Sequence, residues 1–258
     1  MRVLKNVFIG IVVVLSGVVI AQTAHSSPVE GSMSATYWVL SESDKDVNHD
    51  CCSLLSNLVL PQLGPDGLPV ANSMYVNNGY IQDVNSKGEI TWWSPSENHN
   101  VMFLSSGQIS LPYVNFALFP PAGNDLNGFL TAEFQGVFTL SSPSSITFTT
   151  GSDDDSFIYI DGHLVLANGG VHPGNFIPVA TNTLGTGKHD LTIFYADRQV
   201  IGASFELTPT SPGLSMEPLS MEPTPESSTL SLLGIGLLGM GLALRKSSFR
   251  RFRRSVIN

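Results

Sequence analysis

The sequence predicts an all-β fold, an antiparallel β-sandwich held between two apolar terminal segments, and three observations carry that prediction. Short runs of β-branched and aromatic residues recur from about residue 35 to residue 208, each broken within a few positions by Pro, Gly, Asn, Asp or Ser. Several alternate apolar and polar residues with the period of two expected of a half-buried strand, and no long stretch shows the period of an amphipathic helix. Asp161-Gly162 separates two apolar runs, a pairing that favours a tight hairpin turn because the turn needs positive φ. The chain has 258 residues, and once both ends are set aside the remaining ~200 suffice for one well-buried domain.

The elements follow in chain order. Residues 1–26 read as a signal peptide: Arg2 and Lys5 precede an apolar run over residues 7–21, and small residues follow. Cleavage is expected after Ala21 or after Ser26. A run of about 15 residues is short of the roughly 20 that cross a bilayer, which favours removal over a retained anchor. Cys51 and Cys52 are neighbours, so they form either a strained vicinal bridge or none, and they do not staple the fold. With His49 and Asp50 they make a poor metal site, because four consecutive loop residues do not converge on one tetrahedral ion.

Strand-type runs within the expected domain, residues 35–208, lie at 89–93, 136–140, 145–149, 157–160, 163–166 and 190–195. Only Lys45, Lys87, Lys188 and Arg198 stand between the two basic ends, against all 21 acidic residues, a net of −17. Such a surface repels nucleic acid and attracts cations. The charge is densest in Gly151-Ser152-Asp153-Asp154-Asp155-Ser156, at a strand-loop junction just before the hairpin. Three adjacent carboxylates repel one another and become favourable when a hard cation such as Ca²⁺ neutralises them; a solvated acidic turn is the plainer alternative. Trp92 and Trp93, read as strand residues, point to opposite faces, so at most one serves as a sugar-stacking platform and the other packs in the core. His172, between Val171 and Pro173-Gly174, reads as a turn residue, neither ligand nor base.

The stretch Thr147-Phe148-Thr149-Thr150-Gly151-Ser152-Asp153-Asp154-Asp155-Ser156-Phe157-Ile158-Tyr159-Ile160-Asp161-Gly162, with Gly169-Gly170-Val171-His172 after it, resembles the core of the fibro-slime domain. That domain is similar to the PA14 β-sandwich, in which an acidic pair precedes a strand ending in Ile-Asp-Gly. Further matches are Leu63-Gly64-Pro65-Asp66-Gly67-Leu68-Pro69-Val70, Leu118-Phe119-Pro120-Pro121, Leu130-Thr131-Ala132-Glu133-Phe134, and Phe194-Tyr195-Ala196-Asp197-Arg198 running to Ser204-Phe205. The resemblance implies a PA14-like antiparallel β-sandwich. From the lectins and adhesins of that family it also implies a Ca²⁺ held by Asp153 and Asp154, through which sugar hydroxyls bind. Asp155 occupies a position that is often Gly in PA14 domains, and Asp197 matches an acidic position expected to approach the same ion.

No Gly-x-Ser-x-Gly elbow, His-Glu-x-x-His pair or phosphate-binding loop occurs, and the chain is expected not to be an enzyme. A glycosidase needs only two carboxylates at a suitable separation, which keeps a carbohydrate-active enzyme as an alternative; Glu133 is one conceivable member of such a pair.

Residues 209–228 form a Pro-rich linker, followed by an uncharged, Leu- and Gly-rich run over residues 229–244. As a helix that run spans about 24 Å, enough for a thin transmembrane segment with snorkelling ends. Arg245, Lys246, Arg250, Arg251, Arg253 and Arg254, within a basic tail over residues 245–258, then hold the C-terminus in the cytoplasm and leave the acidic domain outside. This tail resembles the PEP-CTERM sorting signal, which a membrane protease-transpeptidase, the exosortase, recognises and is thought to cut. The motif positions are Pro225, Glu226 and Ser227, with Ser227 where a second Pro is usual. The expected protein is therefore an exported surface or matrix component, membrane-anchored facing the periplasm and released to the cell surface or extracellular polymer after processing. Its partners are an exosortase, the membrane and an extracellular polysaccharide bound through Ca²⁺; the alternative is a non-catalytic structural component of matrix or surface fibres.

Overall fold

The structure, a computed structural model, describes residues 31–48, 53–115, 128–199, 202–212 and 214–219. Both terminal segments, Cys51, Cys52 and the motif residues Pro225, Glu226 and Ser227 lie outside the described residues. Among the described residues no helix is long and apolar enough to cross a membrane.

The elements run β1 (Gly31–Leu40), β2 (Val59–Leu63), β3 (Pro69–Ala71), α1 (Ser73–Asn77), β4 (Val101–Leu111), β5 (Tyr113–Asn115), β6 (Phe129–Leu140), β7 (Thr147–Asp153), β8 (Asp155–Ile160), β9 (His163–Asn168), β10 (Asn175–Ala180), β11 (Gly187–Ala196), β12 (Ser204–Pro209) and β13 (Met216–Pro218). Nine strands form one sheet in the order β3-β2-β9-β8-β11-β6-β13-β1-β4, and four form a second in the order β10-β7-β12-β5. The ladders are antiparallel except where β13 meets β1. The β8–β9 hairpin turns at Asp161 and Gly162, both at positive φ, as the Asp-Gly dipeptide predicts.

The folded part runs past both ends of the expected domain. Its first strand begins at Gly31, and β13, expected within the linker, pairs with β6 because alternation turns Met216 into the core at 3% exposure.

Alternation along β11 explains why there are two cores. Leu191, Ile193 and Tyr195 face the small sheet and join Phe134, Ile158, Phe205 and Leu207. Phe194 and Ala196 face the other way, toward a loop-rich layer drawn from residues 41–100 that brings Trp92, Trp93, Leu58 and Ile90. The large sheet is thus covered on both faces, and β8 is buried at every position.

The strand expected at 89–93 is confined to bridges at Glu89 and Ile90, and Trp92 and Trp93 sit in a turn. Strand alternation does not apply there, so both indoles enter the core, at 0% and 3% exposure. Trp92 Nε1 donates to Asp46 Oδ2 and Trp93 Nε1 to the Tyr195 carbonyl, at 2.9 and 2.8 Å, which removes both rings as sugar platforms.

Candidate functional site

Three chain crossings between the two sheets meet at one end of the sandwich. Between β7, in the small sheet, and β8, in the large one, the only residue is Asp154. Residues 169–174 carry the chain from β9 to β10, and residues 197–203 carry it from β11 to β12. Asp153 ends β7, Asp155 opens β8, and Asp154 stands between them where the chain changes sheet.

Asp154 and Asp155 tie the crossings together. Asp154 Oδ1 accepts the His172 N–H at 2.9 Å, and Oδ2 accepts the Arg198 N–H at 2.8 Å. Asp155 Oδ1 accepts the Gly170 N–H at 2.6 Å, and its Oδ2 takes Arg198 Nε at 2.7 Å. Each carboxylate therefore bonds once to the β9–β10 crossing and once to the β11–β12 crossing. Behind them, between the sheets, Ser152 Oγ meets Ser156 Oγ and accepts from Asn168, whose amide exchanges hydrogen bonds with Asn175.

Arg198 is a cation with no exposed surface. Its Nη1 reaches the Asp46 carbonyl and its Nη2 the Tyr80 hydroxyl, both at 3.2 Å. The guanidinium lies 4.7 Å from the Trp92 ring centre and 4.9 Å from that of Tyr80, cation–π distances. This pair gives Asp155 a partner that the sequence reading did not foresee: its charge is matched inside the protein by Arg198. Arg198 was legible as one of only four basic residues in the middle segment.

Among the described residues Asp154 has no such cation. Burial, followed by the charge of Asp155, pushes its carboxyl up to about 7, against the lowering effect of its backbone donors. Asp153 is only half-buried, and its Oδ2 lies where a Cβ on Gly202 would come within 2.4 Å, so it faces the β11–β12 crossing. Asp197 is fully buried, and its Oδ1 accepts the Gln199 N–H at 3.2 Å. The donor chemistry of Asp153 and Asp154, two oxygen ligands with a surplus of negative charge, fits a hard cation. The four carboxylates expected at the site do not all converge, however. Among the described residues the one set of three that comes within 4.8 Å is Asp44, Asp46 and Asp83, in the loop-rich layer.

Sequence reasoning missed that second set, although Asp44-Lys45-Asp46 was a visible signal. Asp46 accepts the Gln82 and Asp83 N–H groups as well as the Trp92 indole, and Asp44 accepts from Asn98 and Asn100. Asp83 is driven up to about 7 by burial and by its contact with Asp44. Elsewhere, Glu133 lies on β6 with Oε1 accepting from Gln135 at 2.6 Å, and burial pushes its carboxyl up to about 7. His172 is 5% exposed, with Nδ1 3.0 Å from the Pro173 carbonyl.

A cavity of about 200 Å³ opens on the outer face of the small sheet, lined by Gly151, Gly174, Phe176, Ser204 and Glu206 with adjoining backbone. Phe176 is 59% exposed.

No family model matches the chain. Among solved structures it is similar to the PA14 sugar-binding domain of an RTX adhesin, at 15% identity and a TM-score of 0.35, over 73% of this chain and 96% of that one. It is also similar to the PA14 domain of an antifreeze protein, at 12% identity and a TM-score of 0.33, over 75% of this chain and 95% of the other. A β-glucosidase from Kluyveromyces marxianus in complex with glucose matches 64% of the chain at 8% identity and a TM-score of 0.36. The chain spans only 15% and 20% of the length of the two structures of that β-glucosidase it matches.

Proposed function

We propose that this chain is an exported, non-catalytic carbohydrate-binding or adhesive module of PA14-like type, in which Asp153 and Asp154 hold Ca²⁺ at the sheet-crossing end and the ion presents itself to sugar hydroxyls. One observation carries the proposal: Asp154 is buried beside two further carboxylates while the single buried guanidinium there is already matched to Asp155. A divalent cation on Asp153 and the remaining lone pairs of Asp154 would relieve that surplus, in the way an opposite charge stabilises the ionised form of a carboxyl. Export rests on residues 1–26, and anchoring followed by exosortase processing rests on Pro225, Glu226, Ser227 and the apolar and basic segments after them.

Thermal unfolding of the chain in millimolar Ca²⁺ against a chelator tests the cation. A ligand present at 100 times its dissociation constant adds about 2.7 kcal/mol, and for a domain of this size that raises the midpoint by roughly 5–10 °C. Asp153→Asn should abolish the rise. It is the variant of choice because Asp153 is half-exposed, whereas Asp154 also holds the crossings together. An unchanged midpoint in Ca²⁺ would remove the cation from the proposal.

A second role, self-association within a matrix or fibre, is favoured by β4. This strand lies at the edge of the large sheet, its 11 residues carry no charge, and Met102 and Phe103 are 65% and 60% exposed. Proteins commonly guard such an edge with charge or proline, and an unguarded one pairs with another copy of itself. Calcium-independent oligomers in sedimentation, dispersed by Phe103→Lys, would support this role over the lectin role.

A further inference from the structure

We propose that the outer face of the four-stranded sheet carries a saccharide site that needs no cation, in which one neutral hexopyranose ring lies against Phe176 and donates hydroxyl protons to Glu206 and Ser204 over a floor of Gly151 and Gly174. The register builds the site: Phe176 on β10 and Glu206 on β12 both stand opposite Gly151 on β7. Alternation along these strands turns Phe205 and Leu207 inward, at 1% exposure each, and leaves Phe176 and Glu206 on the outside.

Spacing and size define the occupant. Two interstrand steps separate Phe176 from Glu206 by about 9.5 Å at the backbone. That gap holds a contact of about 4 Å between the aromatic ring and an apolar sugar face, then the ring itself, then a hydroxyl-to-carboxylate bond of about 2.7 Å. Gly151 is required at the floor of the hollow. A Cβ there would meet the Asn175 carbonyl at 2.2 Å and the Phe176 ring at 3.2 Å, so no larger residue fits at this position. The cavity of about 200 Å³ is smaller than the roughly 300–1,000 Å³ of drug-sized pockets and suits a single ring.

Charge sets the ligand class. The lining residues include the carboxylate of Glu206 and no basic side chain, and Asp153 stands opposite Ser204 in the ladder, so uronic acids and sulfated sugars are repelled. Glu206 Oε1 also takes the hydroxyl of Thr208, two residues along the same strand, at 3.2 Å. The ligand class agrees with the proposed lectin role, but the cation plays no part.

Saturation-transfer NMR on the full-length chain, kept in a sugar-free zwitterionic detergent, tests the site. The probes are the methyl glycosides of glucose, galactose and mannose, with glucuronate and choline as charged controls, each in chelator and in Ca²⁺. The expected result is transfer from at least one neutral glycoside in chelator, weakened about tenfold or more in both Phe176→Ala and Glu206→Gln. Both residues are on the surface, so the unfolding midpoint should hold. The proposal is overturned by transfer from no neutral glycoside, by binding that survives both substitutions, or by choline binding in place of sugar. Binding that requires Ca²⁺ and is lost in Asp153→Asn but kept in Phe176→Ala would also overturn it, while leaving the calcium-dependent role standing. Binding in chelator that Phe176→Ala removes and Asp153→Asn does not would establish this site and remove the calcium role.

Discussion

Two groups of carboxylates, Asp44, Asp46 and Asp83 in one and Asp153, Asp154 and Asp155 in the other, lie around one buried arginine, and they are balanced by different means. Asp155 is ion-paired with the Arg198 guanidinium, neither side chain having any exposed surface. Asp44 and Asp46 are matched by neutral donors instead, namely backbone N–H groups, two asparagine amides and the Trp92 indole, while Arg198 touches Asp46 only at its carbonyl. Neutral donors satisfy hydrogen bonding without cancelling charge, and the difference falls on the third member: Asp83, beside Asp44, is pushed up to about 7. One guanidinium pairs with one carboxylate; burial first, and then the neighbouring carboxylate, Asp44 beside Asp83 and Asp155 beside Asp154, makes the other two acids hold their protons more tightly.

Removing the cation should have the largest effect. Arg198→Met leaves Asp155 as an uncompensated buried charge and takes donors from the Asp46 carbonyl and the Tyr80 hydroxyl. Breaking a buried pair from one side costs about 3–5 kcal/mol, a fall of roughly 10 °C or more in midpoint for a domain of this size. Adding Asp155→Leu to that variant should recover part of the loss, since an apolar pair of similar volume carries no stranded charge. If the double variant is no more stable than the single one, Arg198 acts through packing on Trp92 and Tyr80 rather than through charge.

The second effect has the opposite sign. A carboxyl whose folded pKa stands above its unfolded value near 3.8 weakens the fold once pH exceeds that lower value, and the penalty is complete above the folded value of about 7. Asp83→Asn should therefore stabilise the chain at pH 8 and leave it unchanged at pH 3.5. Asp83 is partly exposed, so the gain is about 1–2 kcal/mol, well under the full equivalent of the shift. The amide also supplies Asp44 with a permanent N–H donor. Urea unfolding at the two pH values reads the difference directly, and equal gains at both would show that repulsion is not the cause.

The unequal legibility of these regions has a physical origin. The Asp161-Gly162 hairpin is specified by two neighbouring residues, and β6, β7, β8, β9 and β11 by runs of four to six, so local chemistry was enough to place them. The acidic triplet, expected at a strand-loop junction, lies instead where one strand runs into the next, with Asp153 ending β7 and Asp155 opening β8. Its counter-ion lies 43 residues further on, and only the scarcity of basic residues in the middle segment pointed to it. The loop-rich layer could not be read in the same way. Its buried residues, among them Val47, Leu58, Ile81, Ile90, Trp92 and Trp93, follow no period because they come from turns and bridges, and burial is imposed by the sheet face they cover. The apolar stretch Phe157–Ile160 of β8 carries the mark of a strand covered on both sides, a signal the sequence reading did not use. The hollow beside Phe176 was not legible at all, since it depends on three strands bringing Phe176, Gly151 and Glu206 into register.

The smallest effect refines the contrast between a charge matched inside and one matched at the surface. His189 Nδ1 lies 2.7 Å from Asp161 Oδ2, and Asp161 Oδ1 accepts the Asp190 N–H at 2.9 Å, so the hairpin turn is tied to β11. The bond to Asp161 raises the His189 pKa against the lowering effect of desolvation. A histidine with a raised folded pKa adds stability that is fully present below the unfolded value near 6.5 and is lost as pH climbs through the folded one. Asp161→Asn isolates the charge, because Asn tolerates the φ of 52° at this position and Asn-Gly is itself a preferred dipeptide for this turn. Asp161 is 44% exposed at its side chain, so water screens the pair and the expected loss is about 0.5 kcal/mol at pH 5.5, falling to nothing at pH 9. A loss of the same size at both pH values would mean that Asp161 works through its bond to the Asp190 N–H. A loss at pH 5.5 approaching that of Arg198→Met would mean that this surface pair is as well shielded from water as the buried one.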